Sequence, residues 1–127
     1  MQKEAIYTKS APHPIGPYSQ AVRAGNLLFI SGQIAINPET NELMVNSIKD
    51  EAHMVLQNIS ALLLQGGSNW NNVVKSSIFL SDMNLFSEVN EIYSTYVIEP
   101  FPARETIAVK TLPKNVNVEI SVIALIS

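Results

Sequence analysis

Two alternating stretches near the C-terminal end constrain the fold of this chain most. Residues 116–122 alternate apolar and polar side chains. In residues 103–109, Ile107 and Val109 share one face with Glu105, while Arg104, Thr106 and Ala108 point the other way. Residues 112–115, with a proline at position 113, separate the two stretches. Such period-2 alternation is typical of β-strands that bury one face. The two stretches are therefore predicted to pair as an antiparallel hairpin in which Val109 lies opposite Val116.

This register would gather the polar side chains on the face away from the core. Arg104, Thr106, Glu119 and Ser121 would share that face, and Arg104 and Glu119 would be diagonal neighbours about 7 Å apart at the backbone. A guanidinium can hold a carboxylate with two parallel hydrogen bonds, and a nearby carboxylate can act as a base. The pair is thus a candidate catalytic site, and the simpler alternative is a cross-strand salt bridge on a solvated face.

Length and composition limit the class of protein. The 127 residues suffice for one domain, which we expect to span residues 1–127. Hydrophobic residues make up 46% and charged residues 15%, which favours an ordered chain with little charge to cover a monomer's surface. A net charge of −3 argues against a nucleic-acid partner, and the absence of cysteine excludes disulfides and thiolate chemistry.

The sequence also bears on location and metal binding. No apolar run approaches the roughly 20 residues that span a bilayer, so no membrane partner is expected and a cytoplasmic location is predicted. A targeting peptide that has been removed is the alternative. His13 and His53 are the only histidines, and without cysteine they argue against a metal site.

The rest of the chain alternates between strand and helix patterns. Further strands are predicted at residues 3–8, 20–24, 27–34 and 73–80, and helices begin after Ser47 and at Leu85. Ser31 and Gly32 interrupt the third strand and predict a bulge or a closely approached backbone. The proline-rich segment at residues 10–20 is either a surface connector or a pocket wall.

Each helix has one apolar stripe, so both must pack on the same face of the sheet. The expected fold is an α+β two-layer sandwich with a six-stranded mixed sheet and two helices on one face. The other sheet face would carry Phe29, Ile123 and Leu125 beside the polar group, with nothing in the chain left to cover it. Such a surface predicts that another copy of the chain covers it.

Several short motifs occur in order along almost the whole chain. They are IGPYSQA (15–21), FISGQI (29–34), DM (82–83), VNEIY (89–93), PAR (102–104), LPK (112–114) and VEI (118–120). Together they resemble the Rid family, also called YjgF-like, and most of all its RidA branch, the 2-iminobutanoate/2-iminopropanoate deaminases.

The resemblance implies a chorismate-mutase-like fold assembled as a homotrimer, with active sites in clefts between subunits. The implied substrates are reactive enamines and imines, such as 2-aminoacrylate and 2-iminobutanoate, which water converts to 2-oxo acids and ammonia. The family needs no cofactor.

The resemblance also implies roles for individual residues. Arg104 would hold the substrate carboxylate, and Glu119 would orient or deprotonate the attacking water. The cleft would be lined by Tyr18, Ser31, Gly32 and Asn90, with Gly32 contributing its backbone. The chain departs from the family after the arginine, where many members have Ser-Cys and this chain has Glu105 and Thr106. We expect Thr106 to be a wall residue of the site that alters substrate preference.

Two other functions remain open from the sequence. The same trimer could sense a 2-oxo acid or an amino acid without turnover. A nucleic-acid or chaperone role is the second alternative, and the net charge of −3 weighs against binding to RNA.

Overall fold

The computed structural model describes residues 2–126, which form a six-stranded sheet and two α-helices. In chain order the elements are β1 (Lys3–Ile6), β2 (Ala21–Ala24), β3 (Leu27–Gln33), α1 (Ile48–Gln65), β4 (Val73–Leu80), α2 (Phe86–Tyr93), β5 (Ala103–Ala108) and β6 (Val118–Leu125). Across the sheet the order is β1-β2-β3-β6-β4-β5. The predicted α+β architecture with a mixed sheet is confirmed. Within residues 2–126, no helix combines the length and apolar character needed to cross a membrane.

Local signals in the sequence placed several elements correctly. β2 and β3 form the predicted hairpin around Gly25, whose φ of 62° suits a residue without a Cβ. α1 begins after Ser47, whose side chain accepts a hydrogen bond from the Asp50 backbone N–H, and it ends at Gly66. Capping by a serine side chain satisfies a backbone donor that would otherwise lack a partner at the helix start.

The predicted C-terminal hairpin is wrong. β5 pairs with β4 in parallel, and β6 lies antiparallel between β3 and β4. Parallel strands need a crossover, and α2 supplies it by packing on the sheet between the end of β4 and the start of β5. The chain then passes β4 in the segment between Ala108 and Val118, a segment that is long enough to skip one strand.

This topology also contradicts the prediction that Arg104, Thr106 and Glu119 share one face of the sheet. Arg104 is aligned with Ser76, which is fully buried beneath the helices, so Arg104 lies on the helix face of the sheet. Thr106 is aligned with Ile78 and lies on the same face. Glu119 is aligned with Phe79 and points to the opposite face, which we name the open face because no helix covers it. Arg104 and Glu119 are therefore not diagonal neighbours.

The core lies between the helices and the sheet. The α1 side chains that are buried there include six apolar ones, at Ala52, Val55, Leu56, Ile59, Leu62 and Leu63. From β4, the inner face consists of Ser76, Ile78 and Leu80. Strict alternation along β4 would also place Val74 on this face, but a register irregularity between Val73 and Lys75 turns it outward, where it is 41% exposed.

One buried carboxylate joins α1 to the start of β6. Glu51 is fully buried, and it accepts hydrogen bonds from the backbone N–H groups of Asn117 at 2.7 Å and Val118 at 3.1 Å. The Asn117 side-chain amide donates a third bond at 2.9 Å. These bonds satisfy both the buried acid and the backbone where the chain enters its last strand.

Replacing Glu51 by alanine should lower the free energy of unfolding by about 3 kcal/mol, because two backbone donors lose their acceptor in a buried place. Urea denaturation at a fixed protein concentration measures this loss. The control is Asp50→Ala, which removes the neighbouring exposed carboxylate and should cost about 0.5 kcal/mol or less. Equal losses for the two variants would contradict the assigned role of Glu51.

Candidate functional site

A cavity of about 300 Å³ opens beside Glu119. Its walls include Tyr18 and Ile15 from the proline-rich segment, Gly32 from β3, and Lys114 from the turn before β6. The proline-rich segment is thus a pocket wall. We call this cavity the carboxylate pocket, because Glu119 is the one acidic side chain among the residues that line it.

Gly32 brings backbone against the Glu119 side chain. A Cβ built on Gly32 would lie 2.8 Å from Glu119 Oε2 and 2.9 Å from Cδ, so no larger residue fits without moving the carboxylate. The strand register shifts between Ile30 and Gln33, which confirms both the predicted bulge and the predicted close approach.

Buried polar contacts hold the wall of the carboxylate pocket in place. The Gln20 side-chain amide donates to the backbone carbonyls of Thr8 at 3.0 Å and Pro12 at 2.8 Å, and it accepts from the Thr8 N–H. Ser31 donates its hydroxyl to the Ser19 carbonyl at 2.6 Å. Ser31 therefore fixes the backbone behind the pocket, and Gln20 is a supporting residue that the sequence pattern did not reveal.

The Glu119 carboxylate is partly buried and has no hydrogen bond or ion pair to any residue between 2 and 126. Burial raises the pKa of the Glu119 carboxyl above its ordinary value, because the charged form loses solvation. A partly buried carboxylate without a partner beside a cavity is typical of functional sites.

A second cavity, of about 440 Å³, lies on the helix face at the other end of the sheet. Arg104 lines it together with Asn90 and Tyr93 of α2 and with Phe101. The Arg104 Nη1 donates to the Asn90 Oδ1 at 2.7 Å. We call this cavity the arginine pocket, and no acidic residue is among those that line it.

The two pockets are well apart within one chain. Arg104 and Glu119 lie on strands separated by β4, at positions three residues apart along it, which corresponds to about 14 Å between their Cα atoms. Their side chains also point to opposite faces of the sheet. A small ligand therefore cannot touch both residues of a single copy.

The two residues that depart from the Rid pattern have different surroundings. The Glu105 side chain is on the open face, where it accepts a hydrogen bond from the Ser77 hydroxyl and pairs with the Lys75 ammonium at 3.1 Å. These two contacts hold the pKa of the Glu105 carboxyl below its ordinary value. Thr106 Oγ1 is buried with no hydrogen-bond partner in the described chain, and Thr106 is not among the residues that line either pocket.

Metal-ligating side chains do not cluster in the part of the chain that the structure describes. Between residues 2 and 126, no three histidine, aspartate or glutamate side chains lie close enough to hold a metal ion.

Comparison with known proteins places the chain in a family. The family model described as Endoribonuclease L-PSP matches residues 8–126. The chain is 51% identical over 122 residues to the RutC family protein PH0854 of Pyrococcus horikoshii, covering 96% of this chain and 97% of the relative. It is 44% identical over 124 residues to the 2-iminobutanoate/2-iminopropanoate deaminase of Dermatophagoides farinae, covering 98% and 97%.

The fold agrees with that of a solved structure. The chain superposes on YyfA from Yersinia pestis, described as a member of the conserved Rid protein family, with a TM-score of 0.94 and 48% identity over 98% of this chain and 100% of that one. The chain belongs to the Rid family. The resemblance drawn from the short motifs is thereby confirmed.

In this Rid protein, Asn90 lies beside Arg104, whereas the sequence pattern did not indicate that Phe86 and Tyr93 also lie there. The three residues have the spacing of one helix face. Their position beside Arg104 depends on the parallel placement of β5, which the sequence pattern did not indicate.

Replacing Glu119 by glutamine should stabilise the fold at about pH 8, where the native carboxyl must be ionised in a partly buried place. The pKa of the Glu119 carboxyl is higher in the folded than in the unfolded protein. Its neutral form therefore contributes to the stability of the fold below the unfolded pKa, and this contribution is lost as pH rises through the folded pKa. The gain should therefore vanish near about pH 4, as measured by urea denaturation at each pH.

The matched control for this prediction is Glu105→Gln on the same sheet face. The pKa of Glu105 is lowered by its contacts with Ser77 and Lys75, so its contribution to stability is present above the unfolded pKa and is lost as pH falls. This substitution should give no gain at about pH 8. A Glu119→Gln variant that is less stable than the parent at that pH would contradict the assigned burial effect.

Proposed function

We propose that this Rid protein hydrolyses 2-imino acids and their enamine tautomers, such as 2-iminobutanoate and 2-aminoacrylate, to 2-oxo acids and ammonia. One observation carries the proposal: the chain has a cation suited to hold a carboxylate and a partly buried acid suited to move a proton, each at a cavity. The similarity to the mite protein named as a deaminase supports this substrate class.

A homotrimer would complete the site. The open face exposes apolar side chains such as Phe29, Ile107 and Leu125, each at least 40% exposed in the single chain. A head-to-tail interface that closes into a ring uses two different surfaces of each copy, so it can place the arginine pocket of one subunit against the carboxylate pocket of the next. The separation of the two pockets within one chain favours this arrangement.

In the proposed site, Arg104 of one subunit holds the substrate carboxylate through free guanidinium donors, with Asn90 beside it. Glu119 of the next subunit faces the electrophilic carbon, with Tyr18 and the Gly32 backbone as walls. Ser31 holds the backbone of the bulge at Gly32 in place. Thr106 lies on the same strand as Arg104 but is not a wall of the site.

The reaction needs one water and no oxidant or reductant. Water attacks the C2 carbon of the protonated imine, and Glu119 accepts a proton from that water as the C–O bond forms. Glu119 then returns the proton to the nitrogen of the tetrahedral intermediate. The C–N bond breaks as the C–O carbonyl forms, and the hydroxyl proton passes through Glu119 to the departing ammonia, so that ammonium and a 2-oxo acid are released. A carboxyl whose pKa is raised towards the working pH suits both proton transfers.

The description of the matched family model names a ribonuclease, but we do not propose that activity for this chain. It has 8 lysine and arginine residues against 11 aspartate and glutamate residues, and this balance disfavours a polyanionic substrate. The alternative function is that of a trimer that binds a 2-oxo acid without turnover, and an assay for imine hydrolysis distinguishes it from the proposed deaminase.

In an assay that couples threonine dehydratase to a semicarbazide trap, the protein should divert 2-iminobutanoate from the trap. Arg104→Ala should lower kcat/KM by about 100-fold or more, because the substrate carboxylate loses a charge-assisted bidentate contact. The control is Arg23→Ala, which removes the only other arginine and should retain activity close to that of the parent. If the parent binds 2-oxobutyrate but diverts no imine, the sensing alternative replaces this proposal.

Mixed oligomers test whether two subunits share each site. Arg104→Ala and Glu119→Gln should each be inactive alone, and purified mixed trimers should recover about one third of the parent activity, because a ring that contains both variants joins the two intact residues at one of its three interfaces. The mixed species is purified through two different affinity tags, and its mass is measured by sedimentation equilibrium. Activity that is not restored in verified mixed oligomers would exclude a site shared between subunits.

A further inference from the structure

We propose that one face of α2, formed by Phe86, Asn90 and Tyr93, holds the Arg104 guanidinium in its binding orientation before any ligand arrives. These three are positioning residues for Arg104, and we name them the arginine platform. The inference rests on the proposed function for its kinetic consequence, while its structural content concerns Arg104 alone.

Three contacts define the arginine platform. The Arg104 Cζ lies 5.6 Å from the centroid of the Phe86 ring and 5.3 Å from that of the Tyr93 ring, within the range of cation–π attraction. Its Nη1 donates to Asn90 Oδ1 at 2.7 Å. Positions 86, 90 and 93 are four and three residues apart, so they share one helix face.

The arginine platform is anchored in the core. The Tyr93 hydroxyl donates to Ser76 Oγ at 2.9 Å, and both residues are buried, with Ser76 fully inaccessible and Tyr93 4% exposed. Ser76 is also the β4 residue aligned with Arg104 in the sheet. Arg104 contacts the Tyr93 ring, Tyr93 bonds to Ser76, and Ser76 is paired with Arg104 in the sheet. These contacts form a closed loop that fixes the Tyr93 ring against β5.

The arrangement leaves the binding edge of the guanidinium free. Aromatic rings attract the cation without using its N–H groups, and Asn90 takes one of the five donors. Arg104 has no ion pair with any acid in the described part of the chain. An arginine that is already ordered loses less side-chain entropy when it binds a carboxylate in two parallel hydrogen bonds.

A purely structural role for Phe86 can be separated from this one by the choice of substitution. Phe86 is partly buried and packs against the core, so leucine can replace most of its apolar contact. Leucine has no aromatic face for the guanidinium, whereas tyrosine keeps it. Phe86→Leu and Phe86→Tyr are therefore a matched pair of substitutions, of which only Phe86→Tyr keeps an aromatic ring.

The first measurement needs no ligand. Arg23 and Arg104 are the only arginines, so the side-chain Nε–Hε spectrum of the whole protein has two arginine signals, and Arg104→Ala identifies one of them. We expect an order parameter above about 0.8 for the Arg104 Nε–Hε vector in the parent and in Phe86→Tyr, and below about 0.6 in Phe86→Leu. The Arg23 signal should not change.

The second measurement is functional. Phe86→Leu should raise KM for 2-iminobutanoate and Kd for 2-oxobutyrate by about five- to tenfold, with kcat within about twofold of the parent. Phe86→Tyr should restore both constants. A role limited to packing would instead lower thermal stability while leaving the two constants and the order parameter unchanged.

Each outcome decides the inference. An Arg104 order parameter that is equally high in Phe86→Leu and the parent overturns it, as does an order parameter that is low in the parent. If the parent binds 2-oxobutyrate but turns over no imine, the proposed deaminase activity fails, and the order parameter together with Kd still decides the role of the arginine platform.

Discussion

The parallel pairing of β5 with β4 governs where Arg104 lies relative to Glu119. Because α2 carries the chain back along the sheet between these strands, β5 begins beside Lys75, and Arg104, aligned with Ser76, is directed towards the helices. An antiparallel hairpin with β6 would have placed Arg104 beside Glu119 on the open face. The same crossover brings Phe86, Asn90 and Tyr93 over Arg104, so one topological choice determines both the position of the cation and its surroundings.

The other charged residue of the proposed site depends on the neighbouring backbone. Glu119 lies in β6, and the bulge at Gly32 of β3 allows a backbone without a side chain to contact its carboxylate. Partial burial without a partner raises the pKa of this carboxyl and makes its ionised form costly. By contrast, Glu105 on the same sheet face is satisfied by Ser77 and Lys75. The fold therefore leaves one acid unpaired at some cost in stability while it pairs the neighbouring one, as the proposed role of Glu119 requires.

The family and the number and type of elements follow from the amino-acid sequence alone. Periodicity located both helices and the hairpin at Gly25, the cap at Ser47 marked the start of α1, and the interruption at Gly32 marked a bulge. These features are local: each depends on side-chain spacing or backbone preference within a few residues, which a single sequence displays directly.

The strand that pairs with β5, and therefore the face that Arg104 and Thr106 occupy, is apparent only in the folded sheet. Alternation shows that neighbouring side chains point to opposite faces, but at an edge strand such as β5 both faces are partly exposed, so hydrophobicity does not select the inward one. The burial of Glu51 against the start of β6 likewise requires a partner 66 residues away in sequence. Long-range pairing of this kind is a property of the assembled sheet, because the donors and acceptors meet only when the chain has folded.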